Sequence, residues 1–170
     1  MEYLTKDLCI RPFQPDDREE MVALLMNETI AKTYMLPDFS SREEAEKLFA
    51  HLMEISVRKD RFVAAISLDG QCIGMVNDTE INGDAIELGY AILPAYHNRG
   101  YCTQVLQGAI SFLHACGFDK VLAAAFESNE ASLRVMEKCG MKKLEKTEEL
   151  TYRGRTHRCV YYCAAREGKT

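Results

Sequence analysis

The chain has 170 residues, 47% hydrophobic and 28% charged, a balance that suits one globular domain and excludes a disordered or fibrous chain. With 26 acidic against 21 basic residues, its net charge is −5, and no basic block exists to support non-specific nucleic-acid binding. No apolar run is long enough to span a bilayer and the start lacks a charged-then-apolar signal pattern, so a single domain over residues 1–170, in the cytoplasm and off the membrane, is expected.

In chain order, residues 4–11 read as a strand, and Asp16 or Asp17 caps a helix running to about Asn27. Residues 27–39 are irregular around Pro37. Ser41-Arg42-Glu43-Glu44 is a capping box opening a second helix, with Ala45, Leu48, Phe49, Leu52, Met53 and Ile55 inward. Residues 62–67 and 71–78 are strands joined by an Asp69-Gly70 turn, and Asn82-Gly83 turns the chain into the strand 85–93. A third helix carries Val105, Leu106, Ala109, Ile110 and Leu113 on one face and ends at Gly117. Residues 121–126 form a central strand apolar on both faces, 130–139 a helix closed by Gly140, and 142–152 with 158–166 a last hairpin around Arg153-Gly154. That order predicts an α/β fold: a mixed sheet of about seven strands with helices on both faces.

The passage from Glu87 to Leu113 concentrates the chemistry. A strand, a proline and a short polar loop lead into a helix, so unsatisfied N–H groups and partial positive charge collect at the helix mouth, where they suit phosphate. Gly100 lets a ligand approach the backbone, Thr103 adds a hydroxyl and Arg99 a fixed charge. The loop lacks the Gly-Lys-Ser/Thr of a nucleotide P-loop and the G-x-G-x-x-G of a dinucleotide fold.

His97-Asn98-Arg99-Gly100-Tyr101-Cys102 resembles the acyl-CoA loop [QR]-x-x-G-x-[GA] of the GNAT N-acetyltransferases, with His first and Cys last in place of the usual residues. Three further segments are similar to that family in order and spacing: Leu8-Cys9-Ile10-Arg11-Pro12 with Asp16-Asp17, Gln71-Cys72-Ile73-Gly74, and the helix from Asn129 through Glu137-Lys138 to Gly140-Met141. The likeness is nearest to the RimJ/RimL-type branch. It implies a mostly antiparallel sheet with a bulged central strand near the glycine Gly89, and acetyl-CoA along that strand, held by Ala91, Ile92, Leu93, residues 97–103 and Asn129. It further implies acetyl transfer to a primary amine: a protein N-terminus, a polyamine-like or amino-acid metabolite, or a drug.

Such a reaction needs a group to take a proton from the amine and another to protonate the leaving thiolate. Glu87, on the strand beside the bulge, is the leading base, with His97 and Glu127 as alternatives. Many family members carry a tyrosine where this chain has Met136, which donates no proton, so the acid falls to water, Tyr90 or Ser132. A main-chain N–H near Ala91 or Ile92 is positioned for an oxyanion. Tyr34, Met35 and Phe39 lie where an acceptor groove would form. The seven cysteines read as small buried residues, and His157, Cys159 and Cys163 make one loose pair rather than a zinc set, so no metal is expected. The alternatives are an acyl-CoA-binding module without turnover and an ATP-binding protein using the same loop. An open edge on the C-terminal strand would allow a homodimer.

Overall fold

The computed structural model describes residues 2–168. The elements are, in order, β1 (Tyr3–Leu4), β2 (Leu8–Arg11), α1 (Arg18–Leu25), α2 (Glu28–Ala31), α3 (Arg42–Ser56), β3 (Val63–Leu68), β4 (Gln71–Asn82) and β5 (Ala85–Ile92). There follow α4 (Tyr101–Ala115), β6 (Lys120–Phe126), α5 (Glu130–Lys138), β7 (Lys142–Tyr152) and β8 (Arg155–Ala165). One eight-stranded sheet has the order β1-β2-β3-β4-β5-β6-β8-β7. Among the described residues, only β5 and β6 pair in parallel. The eighth strand arises because the first expected strand breaks: Thr5 N–H bonds to the Leu8 carbonyl at 2.9 Å, folding β1 back on β2. The C-terminal strand is also not an edge. It inserts between β6 and β7, so the open edge on that side is β7.

Helices cover both faces because strand side chains alternate. Val105, Leu106, Ala109 and Leu113 of α4 pack in one core cluster with Ile86, Leu88 and Ile92 of β5 and with Met136 of α5. Met21 and Leu24 of α1 and Phe49 and Leu52 of α3 form the opposite cluster with Ala65, Met75 and Ala91. Within the stretch expected to be irregular, Asn27 caps the short α2 by accepting from the N–H groups of Thr29 and Ile30. Tyr152, at the end of β7, then donates to the Ala31 carbonyl at 2.8 Å and accepts from Leu36 N–H at 3.2 Å. That pair of bonds fastens the 31–36 segment against the sheet.

Candidate active site

The site begins where the sheet opens. β5 pairs with β6 only from Ala85 to Leu88, whereas β6 continues beside β8 as far as Phe126. From Gly89 onward the two strands part, and a cleft of about 660 Å³ is lined by both and by the mouth of α4. Leu93 N–H bonds to the Ile73 carbonyl at 2.8 Å, which sets the alternation along β5. Odd-numbered residues therefore turn main-chain groups toward β4, and Tyr90 and Ile92 turn theirs toward the side that β6 has left. On that side the Ile92 carbonyl is met by His97 Nε2 at 2.6 Å.

The irregularity of the β4–β5 pair does not sit at Gly89. Asp78 pairs with Leu88 and Glu80 with Glu87, so the extra residue is Thr79 on β4. Gly89 has a different reason to be glycine. A Cβ there would lie 3.1 Å from the Tyr34 ring and 3.3 Å from Thr79 Cγ2. Tyr34 occupies that space, with its hydroxyl on Asn77 Oδ1.

At the other end, a 3-10 turn at Pro94–Tyr96 leads to Asn98 and Gly100, both left-handed, with φ of 60° and 77°. Left-handed residues in such a loop aim successive N–H groups into one concavity. Among the described residues, no N–H from 98 to 103 meets a protein acceptor, and the first intrahelical bond of α4 is Gln104 N–H to the Gly100 carbonyl at 3.2 Å. α5 lies beside this mouth, with Cys139 Sγ 3.5 Å from the Thr103 carbonyl.

The cleft thus draws on both faces of β5. Tyr90 points to the α5 side, where its hydroxyl is 2.9 Å from Ser132 Oγ, and Asn129 caps α5 by accepting from Ser132 N–H at 3.3 Å. Burial pushes the Tyr90 hydroxyl pKa well above its ordinary value, so the phenol keeps its proton. Glu87 points to the other side and accepts from Thr79 Oγ1 at 2.9 Å. Burial raises the Glu87 pKa above the usual carboxylate value, while the Thr79 hydrogen bond and the Lys146 charge pull it back. Glu80 and Glu148 raise it further. Lys146 is itself 3.0 Å from Glu148, which accepts from the Tyr161 hydroxyl at 2.8 Å.

Of the residues singled out from sequence, Glu87, Tyr90 and Ser132 line the cleft. So do Ala91, Ile92, Asn129, His97, Asn98, Gly100 and 101–103. Leu93 and Arg99 lie off the lining: Leu93 packs on the α1–α3 side, and the Arg99 guanidinium sits 5.9 Å from the Tyr96 ring centre. Tyr34 and Met35 line the cleft, but Phe39 and the exposed Glu127 do not. Met136 is buried in the core. His157 stacks on Phe126 at 4.2 Å, and Cys159 packs in a small cluster with Phe126 and Tyr161. Thr79, Asn77 and Tyr161 were not anticipated. They reach the cleft through strand register, for which the local sequence carries no signal.

Residues 7–142 match the family described as Acetyltransferase (GNAT) domain. The uncharacterized N-acetyltransferase YoaA of Bacillus subtilis (strain 168) is 27% identical over 145 residues, covering 82% of this chain and 81% of that protein. Among solved structures, a GNAT-family acetyltransferase from Bacillus anthracis superposes with a TM-score of 0.83 at 20% identity, over 97% of this chain and 98% of that one. RimL, a ribosomal L7/L12 alpha-N-protein acetyltransferase solved with coenzyme A, has a TM-score of 0.85 at 16% identity, over 98% of each chain. With its loop, its opened strand and a family match over most of its length, the chain belongs to the GNAT acetyltransferases.

Proposed function

We propose that the cleft binds acetyl-CoA and that the protein transfers the acetyl group to a primary amine. The observation that carries this reading is the run of N–H groups at 98–103 with no protein acceptor, set at a helix mouth beside a strand edge with its own unpaired groups. Those donors suit a diphosphate. The Tyr90 and Ile92 N–H groups on the parted edge of β5 suit an extended amide-bearing arm, and the parity of the strand favours Ile92 over Ala91 for an oxyanion. Acetyl-CoA supplies the thioester carbonyl that the amine attacks.

The chain's own residues divide the proton work between the two faces of β5. Glu87, half-buried with a raised pKa, is suited to accept a proton from the ammonium form of the acceptor, directly or through water. Tyr90 and Ser132, hydrogen-bonded to each other on the opposite face, are suited to deliver one to the departing sulfur. Holding both reactants in one cleft supplies much of the rate gain. A protein N-terminus and a small-molecule amine are both candidate acceptors. Thiol release from acetyl-CoA across peptides, polyamines and amino acids tests the reading. Amine-dependent release is expected. Tight coenzyme binding with no release for any amine would instead identify a binding module.

A further inference from the structure

The cleft is electrically polarised. Its basic lining residues, His97, Arg134 and Lys138, belong to the loop before α4 and to the α5 helix that flanks the mouth of α4. The opposite end is walled by Tyr34, Met35, Leu150 and Tyr161, and its charged lining residue is Glu87. Around Glu87 the charge remains negative. Glu80 is its direct cross-strand partner in the β4–β5 register, and directly opposed residues share one face. Glu148 is held beside the wall by the Tyr161 hydroxyl, and Lys146, the nearby cation, lies 3.0 Å from Glu148 and 4.2 Å from the Tyr161 ring centre, so three carboxylates there face one ammonium. Arg153, next to the Tyr152 that bonds the 31–36 segment, is 3.0 Å from Glu28 and 3.9 Å from Asp38.

From this arrangement we infer a selection rule, resting on the acetyl-transfer reading: the acceptor is an amine whose neighbouring carbon bears no carboxylate. A free α-amino acid would bring its carboxylate within a few bonds of the attacking nitrogen. It would enter a half-buried wall where Glu87, Glu80 and Glu148 outnumber the nearby Lys146 ammonium, which already faces Glu148. An amine beside an amide or a hydrocarbon meets no such penalty, and its cationic form is drawn to the acidic end. A peptide N-terminus and a small apolar amine share this chemistry.

Matched acceptors test the rule. Phenylalanine, phenylalanine amide and phenethylamine carry the same ring, and each rate is divided by the fraction of unprotonated amine at the assay pH, since their amine pKa values differ. The amide and phenethylamine are expected to exceed the free acid in kcat/KM by about tenfold or more, and their relative rates separate a peptide-like from a small-amine preference. Glu80→Lys, a change at an exposed strand position, is expected to raise the rate with the free acid relative to the amide several-fold. Equal corrected rates for acid and amide, or a ratio unmoved by Glu80→Lys, would overturn the rule while leaving acetyl transfer intact. No thiol release with any of the three, or with the wider amine panel, would overturn the transfer reading and the rule with it.

Discussion

Glu87 is the proposed base, and its surroundings give its pH behaviour a sign. Burial raises its pKa, and the Thr79 hydroxyl and Lys146 oppose the rise, while Glu80 and Glu148 add to it. As the proposed base Glu87 works in its carboxylate form, so turnover should climb as pH rises through this raised pKa. Thr79→Val removes an opposing interaction and should move the climbing limb of the kcat profile to higher pH. A limb that stays put would separate Thr79 from the base. Glu87→Gln should lower kcat by roughly 10²–10⁴-fold with coenzyme affinity little changed. Its stability effect has its own sign. A folded-state pKa above the unfolded one favours folding at low pH, and that contribution is lost as pH rises through the folded pKa. Glu87→Gln should therefore raise Tm slightly at neutral pH, by roughly a degree, with the difference fading below about pH 4. A Tm lowered at neutral pH would contradict the burial cost assigned to this carboxylate.

At the scale of elements, two glycines on either side of the cleft have separable roles. Gly100 holds a φ of 77°, and a Cβ there meets no neighbour within 4 Å, so a side chain costs local strain of about 1–3 kcal/mol and intrudes on the mouth of α4 without disturbing the core. Gly100→Val should leave a folded protein whose coenzyme affinity falls by about a hundredfold or more, as read by calorimetry. Gly89→Ala presses on Tyr34 instead, and should raise the acceptor KM while leaving coenzyme affinity within about twofold. If both variants affected the coenzyme alike, the division of the cleft would fail.

The contrast between these elements shows what the sequence made legible. The loop before α4 was readable because its residues are consecutive: a strand, a proline, a glycine and a helix face imply the N–H cradle locally. The parting of β5 from β6 was readable only through family resemblance, and the bulge expected at Gly89 lies instead on the neighbouring strand. A mid-strand glycine looks the same in sequence whether it marks a bulge or makes room for a ring. Here Gly89 makes room for Tyr34, while the extra residue, Thr79, sits on the neighbouring strand with no sequence signal. Tyr161 and Tyr152 were equally hidden, since their partners Glu148 and Ala31 are set by register and by the packing of a distant segment.

For the whole molecule, alternating strands and helices fixed the mixed sheet and its covered faces, but not that β8 slots between β6 and β7. That insertion matters to the site. It keeps β6 paired along its full length while β5 turns away, which opens one cleft with basic groups at the helix mouth and carboxylates at the far end. In the proposed function the 98–103 main chain receives the coenzyme's diphosphate beside the freed edge of β5. The most direct measurement is an amide ¹H–¹⁵N correlation spectrum of the labelled protein titrated with coenzyme A. The resonances of residues 98–103, together with Tyr90 and Ile92, are expected to shift on binding. Saturable binding that moved amides elsewhere and left these in place would contradict it.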